Sequence, residues 1–215
     1  VVGSSTVKFE NVVALSVYND QERMAGKLHD ARLTLRGVPS RSQISVAKSF
    51  AYGVIRNILS AGWERYLYPF DPRIAVGDLK GFKRCSREAF GQIVMNHPCF
   101  NPSYEMSDEQ WQTTSFYKWY FFKDGYYLKL DAWSSRGDKD PAGQASYLFT
   151  VEIKSEQEFW LQAFKGEDRS RWRELLPARL RKYRAERERT EMKAEEAGYE
   201  IDRSYLDAPV SVNTD

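Results

Sequence analysis

Two histidines and two cysteines in 215 residues leave this chain poorly equipped for the commonest kinds of side-chain chemistry. Histidine is the usual general base near neutral pH, and only His29 and His97 are present. Cys99 stands two residues from His97, but near neighbours in a chain rarely bring thiol and imidazole into attack geometry. Cys85, His97 and Cys99 offer three metal-ligand types, yet there is no CxxC pair and no matching second half, so no metal and no cofactor is expected. Gly77 to Gly81 lacks the spacing of a phosphate-binding or dinucleotide loop, and GxSxG is absent. Solvated loop acids are the expected state of Asp71, Asp78, Asp131, Asp138 and Asp140, and a plain turn that of Arg136-Gly137-Asp138. Charge of one sign is missing too. With 32 basic and 30 acidic residues the net charge is +2, too little for the molecule as a whole to act as a polyanion binder. No apolar run approaches the length of a membrane span.

Aromatic residues, by contrast, are plentiful: 6 Trp, 13 Tyr and 12 Phe, enough buriable surface to exclude disorder for the bulk of the chain. Val7 to Val17 is rich in β-branched residues and predicts one or two strands, and Ala31, Leu33 and Leu35 alternate with polar residues as a further strand. Asn19 to Glu22 carries the signature of a capped helix start. Ile44, Ala47, Ala51, Val54, Ile55, Ile58 and Leu59 recur at three and four, predicting a helix from about Ser40 to Arg65. Ser86 is read as the cap of a short helix bearing Phe90, Ile93 and Val94, and the stretch from Asn101 to Thr114 as polar turns.

Ser115 to Trp133 is the most informative segment. Asp124-Gly125 is a two-residue hairpin turn signal between two aromatic runs, and it predicts a register in which paired positions sum to 249. Lys118 then faces Asp131, and Trp119 faces Leu130. One face carries Tyr117, Trp119, Phe121, Leu128, Leu130 and Ala132 and is the expected core face. The other carries Phe116, Lys118, Tyr120, Phe122, Tyr127, Lys129, Asp131 and Trp133, too aromatic for a plain solvent face and too charged for a core. Tyr147 to Ile153 continues the meander, and Ser155 with Glu158 caps a helix bearing Phe159 and Trp160. Trp172, Leu175, Leu176, Leu180 and Tyr183 form an apolar stripe that ends at Tyr183. Residues Arg184 to Glu196 are expected to project as a charged helix end, followed by an extended or frayed tail.

These elements predict an α+β fold: an antiparallel sheet of about four to five strands packed by helices, with a long charged C-terminal helix. The division expected is a single domain over 1–183 and a projecting helix end and tail over 184–215. Cys85 and Cys99 form either one disulfide, worth about 3 kcal/mol for a 14-residue separation, or two thiols. The first residue is Val, which admits an exported mature chain, so a periplasmic setting is expected, with the cytoplasm as the alternative.

For function, the poor catalytic equipment and the ring-bearing face point to a non-enzymatic protein-binding module. A bacterial immunity protein that occludes a toxin suits this profile. Phe116, Tyr120, Phe122, Tyr127 and Trp133 are the candidate anchors, with Arg184 and Arg187 as electrostatic steering groups. A nucleic-acid partner is the alternative: Lys165 to Arg189 holds ten basic residues against five acids, and stacked rings accept bases. A hydrolase using a carboxylate or Cys99 is the third class.

Overall fold

The computed structural model describes residues 6–18, 28–86, 88–135 and 144–211. Its centre is an antiparallel sheet of six strands: β1 (Val12–Tyr18), β2 (Asp30–Leu35), β3 (Glu64–Arg65), β4 (Phe116–Lys123), β5 (Tyr126–Ser134) and β6 (Tyr147–Ser155). Their spatial order is β1-β2-β6-β5-β4-β3, so the aromatic meander β4-β5-β6 forms the middle and the N-terminal strands extend it. The hairpin has the register expected from its turn, with Lys118 opposite Asp131 and Trp119 opposite Leu130. Asp124 and Gly125 both have positive φ, the requirement of a turn whose twist matches that of the flanking strands.

Period-2 alternation sends Tyr117, Trp119, Phe121, Leu128, Leu130, Phe149 and Val151 to the first face, where all are buried. Helix α1 (Ile44–Ser60) lies against them, contributing Ile44, Ala47, Ala51, Tyr52, Ile55 and Ile58 at helical spacing. It stops five residues before the expected end because Gly62 turns the chain at positive φ. Glu64 and Arg65 then pair with Phe122 and Phe121 as β3.

Local expectations failed where turn chemistry outweighed apolar spacing. The segment after Ser86 is no helix: residues 88–89 pair with 92–93 around Phe90 and Gly91, both at positive φ, a two-residue hairpin turn that excludes helical geometry. The polar stretch 101–114 contains helix α2 (Asp108–Gln112), started by a complete capping box between Ser107 and Gln110. The expected helix start at Asn19 and the turn at Arg136 lie outside the described residues.

Two helices cover part of the second face. Helix α3 (Glu156–Leu161) begins at Ser155, whose hydroxyl accepts the Glu158 N–H, and places Phe159 and Trp160 over the sheet. Helix α4 (Trp172–Glu196) packs Trp172, Leu176 and Leu180 beside them. Its second half does not project into solvent. Arg187, Thr190, Glu191 and Ala194 are buried, Arg73 grips Glu191 with two hydrogen bonds of 2.8 Å, and Ala194 joins a small core with Ile74, Leu79 and Ile201. The tail over residues 199–211 is strapped to the body. Ile201 bridges to Ile74, the Leu67 N–H donates to the Tyr205 hydroxyl at 2.8 Å, and Glu156 accepts from the Ser211 N–H. The charges buried here each have a specific partner, Glu191 with Arg73 and Arg187 with Asp207, as burial of a charge requires.

Candidate binding surface

The second face is best followed as rows of cross-strand neighbours. Phe122, Tyr127, Lys154 and Asp30 make the row nearest the hairpin turn. Tyr120, Lys129, Glu152 and Arg32 make the next, then Lys118, Asp131, Thr150 and Thr34. The last row is Phe116, Trp133 and Leu148, at the far end of the sheet.

Toward the turn the face is closed. Phe159 stacks on Tyr127 with ring centres 3.8 Å apart, Trp160 donates its indole N–H to the Tyr127 hydroxyl, and Tyr66 and Tyr68 pack edge-on against Tyr127 and Tyr120. Tyr120 and Tyr127 are therefore buried inside the protein, and Phe122 is half-buried against Tyr127. Burial pushes the Tyr120 phenol up to about 12, so it stays neutral. These three rings, expected as anchors from their place on the face, serve the fold first.

The middle rows form an ion-pair ladder. Lys129 contacts Asp131 at 2.9 Å and Glu152 at 2.7 Å, and Lys154 contacts Glu152 at 2.7 Å. Burial alone would lower the affinity of Lys129 for its proton, but Asp131 and Glu152 outweigh it and raise its pKa. Burial likewise works against ionised Glu152, and the hydrogen bonds from Lys129 and Lys154 reverse the effect and hold its carboxyl low. Both signs stay charged at neutral pH. Between the ladder and α3 lies a cleft of about 130 Å³ lined by Tyr68, Met95, Tyr120, Lys129, Glu152 and Phe159. Small-molecule sites run to about 300–1,000 Å³, so this cleft suits a single protruding side chain better than a cofactor.

The last row is open. Phe116 is 55% exposed, Trp133 43% and Leu148 46%, on three adjacent strands. Single exposed apolar residues need no explanation, but three in one row make a contiguous patch. Leu148 was not among the anchors expected from the sequence; its pairing with Trp133 across β5 and β6 would have found it.

The helix arginines divide in the same manner. Arg184 is exposed and meets Asp207 at 3.3 Å. Arg187 is buried and cannot steer a partner. Its guanidinium donates to the backbone oxygens of Asp71 and Tyr68 and to the Asp207 carboxylate, tying α4, the tail and the loop after β3 together. Below it Asp71 accepts the N–H groups of Met95 and Asn96, and its complete burial pushes its carboxyl up to about 7. Elsewhere on the Arg-rich stretch, Arg171 pairs with Glu174, Arg173 lies over Trp172, and Arg179 lies over Phe164 and Tyr183.

Cys85 and Cys99 are bonded to each other and fully buried. With His97 their donor atoms lie within 4.8 Å of one another, but the disulfide uses both sulfurs, and the His97 Nδ1 accepts the Cys99 N–H. Cys99 is accordingly no free thiol nucleophile. Among the described residues no helix is long and apolar enough to cross a membrane.

Comparison with family models, curated proteins and solved structures finds no match to this chain.

Proposed function

We propose that the chain is a non-enzymatic protein-binding module whose partner docks on the open end of the second sheet face. The observation that carries this reading is the exposed row Phe116, Trp133 and Leu148, bordered by the charged ladder. An apolar centre with a polar rim is the anatomy of a protein interface, and aromatic residues dominate its energetics. The adjoining cleft accepts one side chain of the partner. Arg184, exposed on α4, assists encounter and not anchoring.

The partner class put forward is a toxin occluded by its immunity protein. The disulfide supports an exported, periplasmic setting, because such bonds persist in oxidising compartments. A nucleic-acid partner draws less support, since Arg171, Arg173, Arg179 and Arg187 are already engaged within the chain.

The test is capture by the immobilised chain from extract of its native source, repeated with Phe116→Ala and Trp133→Ala. A stoichiometric protein retained at high salt by the parent chain, with affinity falling about 30-fold or more in either variant, supports the reading. Equal retention by parent and both variants overturns the location. Nucleic acid released by salt overturns the partner class.

A further inference from the structure

β1 is the outermost strand of the main sheet, and every one of its seven residues is exposed. Among the described residues it has a strand neighbour on one side only, β2, and no described strand pairs with the backbone donors and acceptors of its other edge. Edge strands are ordinarily protected by Lys, Pro, an inward-pointing charge or a bulge that twists the edge away. Residues 11–18 (Asn-Val-Val-Ala-Leu-Ser-Val-Tyr) contain none of the first three, and the one bulge, between Val12 and Ala14, lies at the start of the strand and leaves Ala14 to Tyr18 in regular register.

The side chains of this edge continue the core. Leu130, Val151, Leu33 and Leu15 form one row across β5, β6, β2 and β1, and Leu128, Ile153, Ala31 and Val17 form the next. Both rows are buried at their inner ends, yet Leu15 is 62% exposed and Val17 54%. The core face thus runs out to the boundary of the sheet still apolar.

We infer that β1 is a self-association edge, and that its occupant is β1 of a second copy of this chain. A two-fold axis through Ser16 sets the strands antiparallel, with Leu15 of each copy opposite Val17 of the other and the two Ser16 residues facing each other. Each apolar row then continues into the other copy: Leu130, Val151, Leu33 and Leu15 are followed by the second copy's Val17, Ala31, Ile153 and Leu128. Because residues 11–18 carry no charge, the identical strands meet with no like charges opposed. Closed two-fold pairing is the commonest symmetry of homo-oligomers, and here it joins two six-stranded sheets into one of twelve. β1 and the strands bearing Phe116 and Trp133 lie in different parts of the sheet, so the dimer leaves the proposed partner surface open.

Sedimentation of the full chain over a concentration series tests this. The expected mass rises to twice 25.0 kDa, and Leu15→Lys, which adds an edge charge at an exposed site, raises the dissociation constant at least tenfold. Ser16→Cys gives an independent readout. Cys85 and Cys99 being bonded together, the new thiol has no described cysteine to pair with inside the chain. Mild oxidation should then give a covalent dimer, while Ser170→Cys on the exposed turn before α4 should not. A chain monomeric at every concentration overturns the inference. So does a dimer that survives Leu15→Lys without a Ser16→Cys cross-link, or assembly that runs past two copies.

Discussion

The two faces of the central sheet are built from the same three aromatic strands and end in different states. On the first face every central position is apolar and is sealed by α1 together with α2 and Phe100. On the second face the same strands run from a buried ring cluster through an ion-pair ladder to an exposed apolar row. The extent of the cover explains the difference. A nine-residue strand spans about 30 Å and the 17 residues of α1 about 25 Å, whereas the six residues of α3 span about 9 Å. On the first face α1 shares the cover with Trp111 of α2 and with Phe100, which pack on Tyr117 and Trp119. On the second face α3 and α4 pack beside the end next to the hairpin turn, while Phe116 and Trp133 stay exposed. An uncovered apolar end is where a second protein would find its binding surface.

Substitutions can break this contrast, and the largest effect belongs to the sealed face. Trp119→Ala removes a fully buried indole and should cost about 3–5 kcal/mol in urea unfolding. A loss near zero would mean that the first face is not close-packed.

Replacing both Cys85 and Cys99 with Ala removes a staple at the edge of the same core, and should lower stability by about 3 kcal/mol. Parent and variant compared in the absence of reductant read this directly.

Titration separates the faces by sign. Asp71 supports the cover of the second face, and its carboxyl rises from 3.8 to about 7 on burial. The folded state binds that proton more tightly than the unfolded chain, so its stabilisation is complete below about pH 4 and is lost as pH rises through about 7. His97 packs between Phe82 and Phe100 beside the first-face core, and burial lowers its imidazole from 6.5 to about 4. Its contribution is present above about pH 6.5 and is lost as pH falls through about 4. The two slopes oppose each other between pH 4 and 6.5. Asp71→Asn should therefore leave a profile that falls more steeply toward acid, measured by denaturation at a series of pH values; an unchanged profile would remove Asp71 from the account.

The smallest stability effect is expected on the open row. Trp133→Ala should cost about 1 kcal/mol, well below Trp119→Ala, because its side chain is 43% exposed and stands beside cross-strand neighbours and not under the helices. If instead it costs as much as Trp119→Ala, the surface is a core position and the proposed docking site fails.

Much of the sheet was legible in the residues. Asp124-Gly125 specified the hairpin turn, the turn specified the register, and alternation assigned the core face from Tyr117 to Ala132. The Ser155 cap and the stripe of α1 were equally local signals. The hairpin at Phe90 was misread because apolar spacing at 90, 93 and 94 resembles a helix when the positive φ of two turn residues is not known. α4 beyond Tyr183 was misread because polarity suggested solvent, while the partners that bury Arg187 and Glu191 come from residues more than 110 positions earlier.

Phe116 and Tyr120 state the division most plainly. They stand on one strand and one face, four residues apart, and alternation alone assigns both to the same side. One is buried and the other open because Tyr68, on the loop after β3, packs edge-on against the Tyr120 ring, and which loop reaches residue 120 from more than fifty positions away is a non-local fact. Period and turn chemistry act between neighbours in the chain, and so determined strand, register and face. Exposure depends on which distant element reaches each position, and that only the tertiary packing decided.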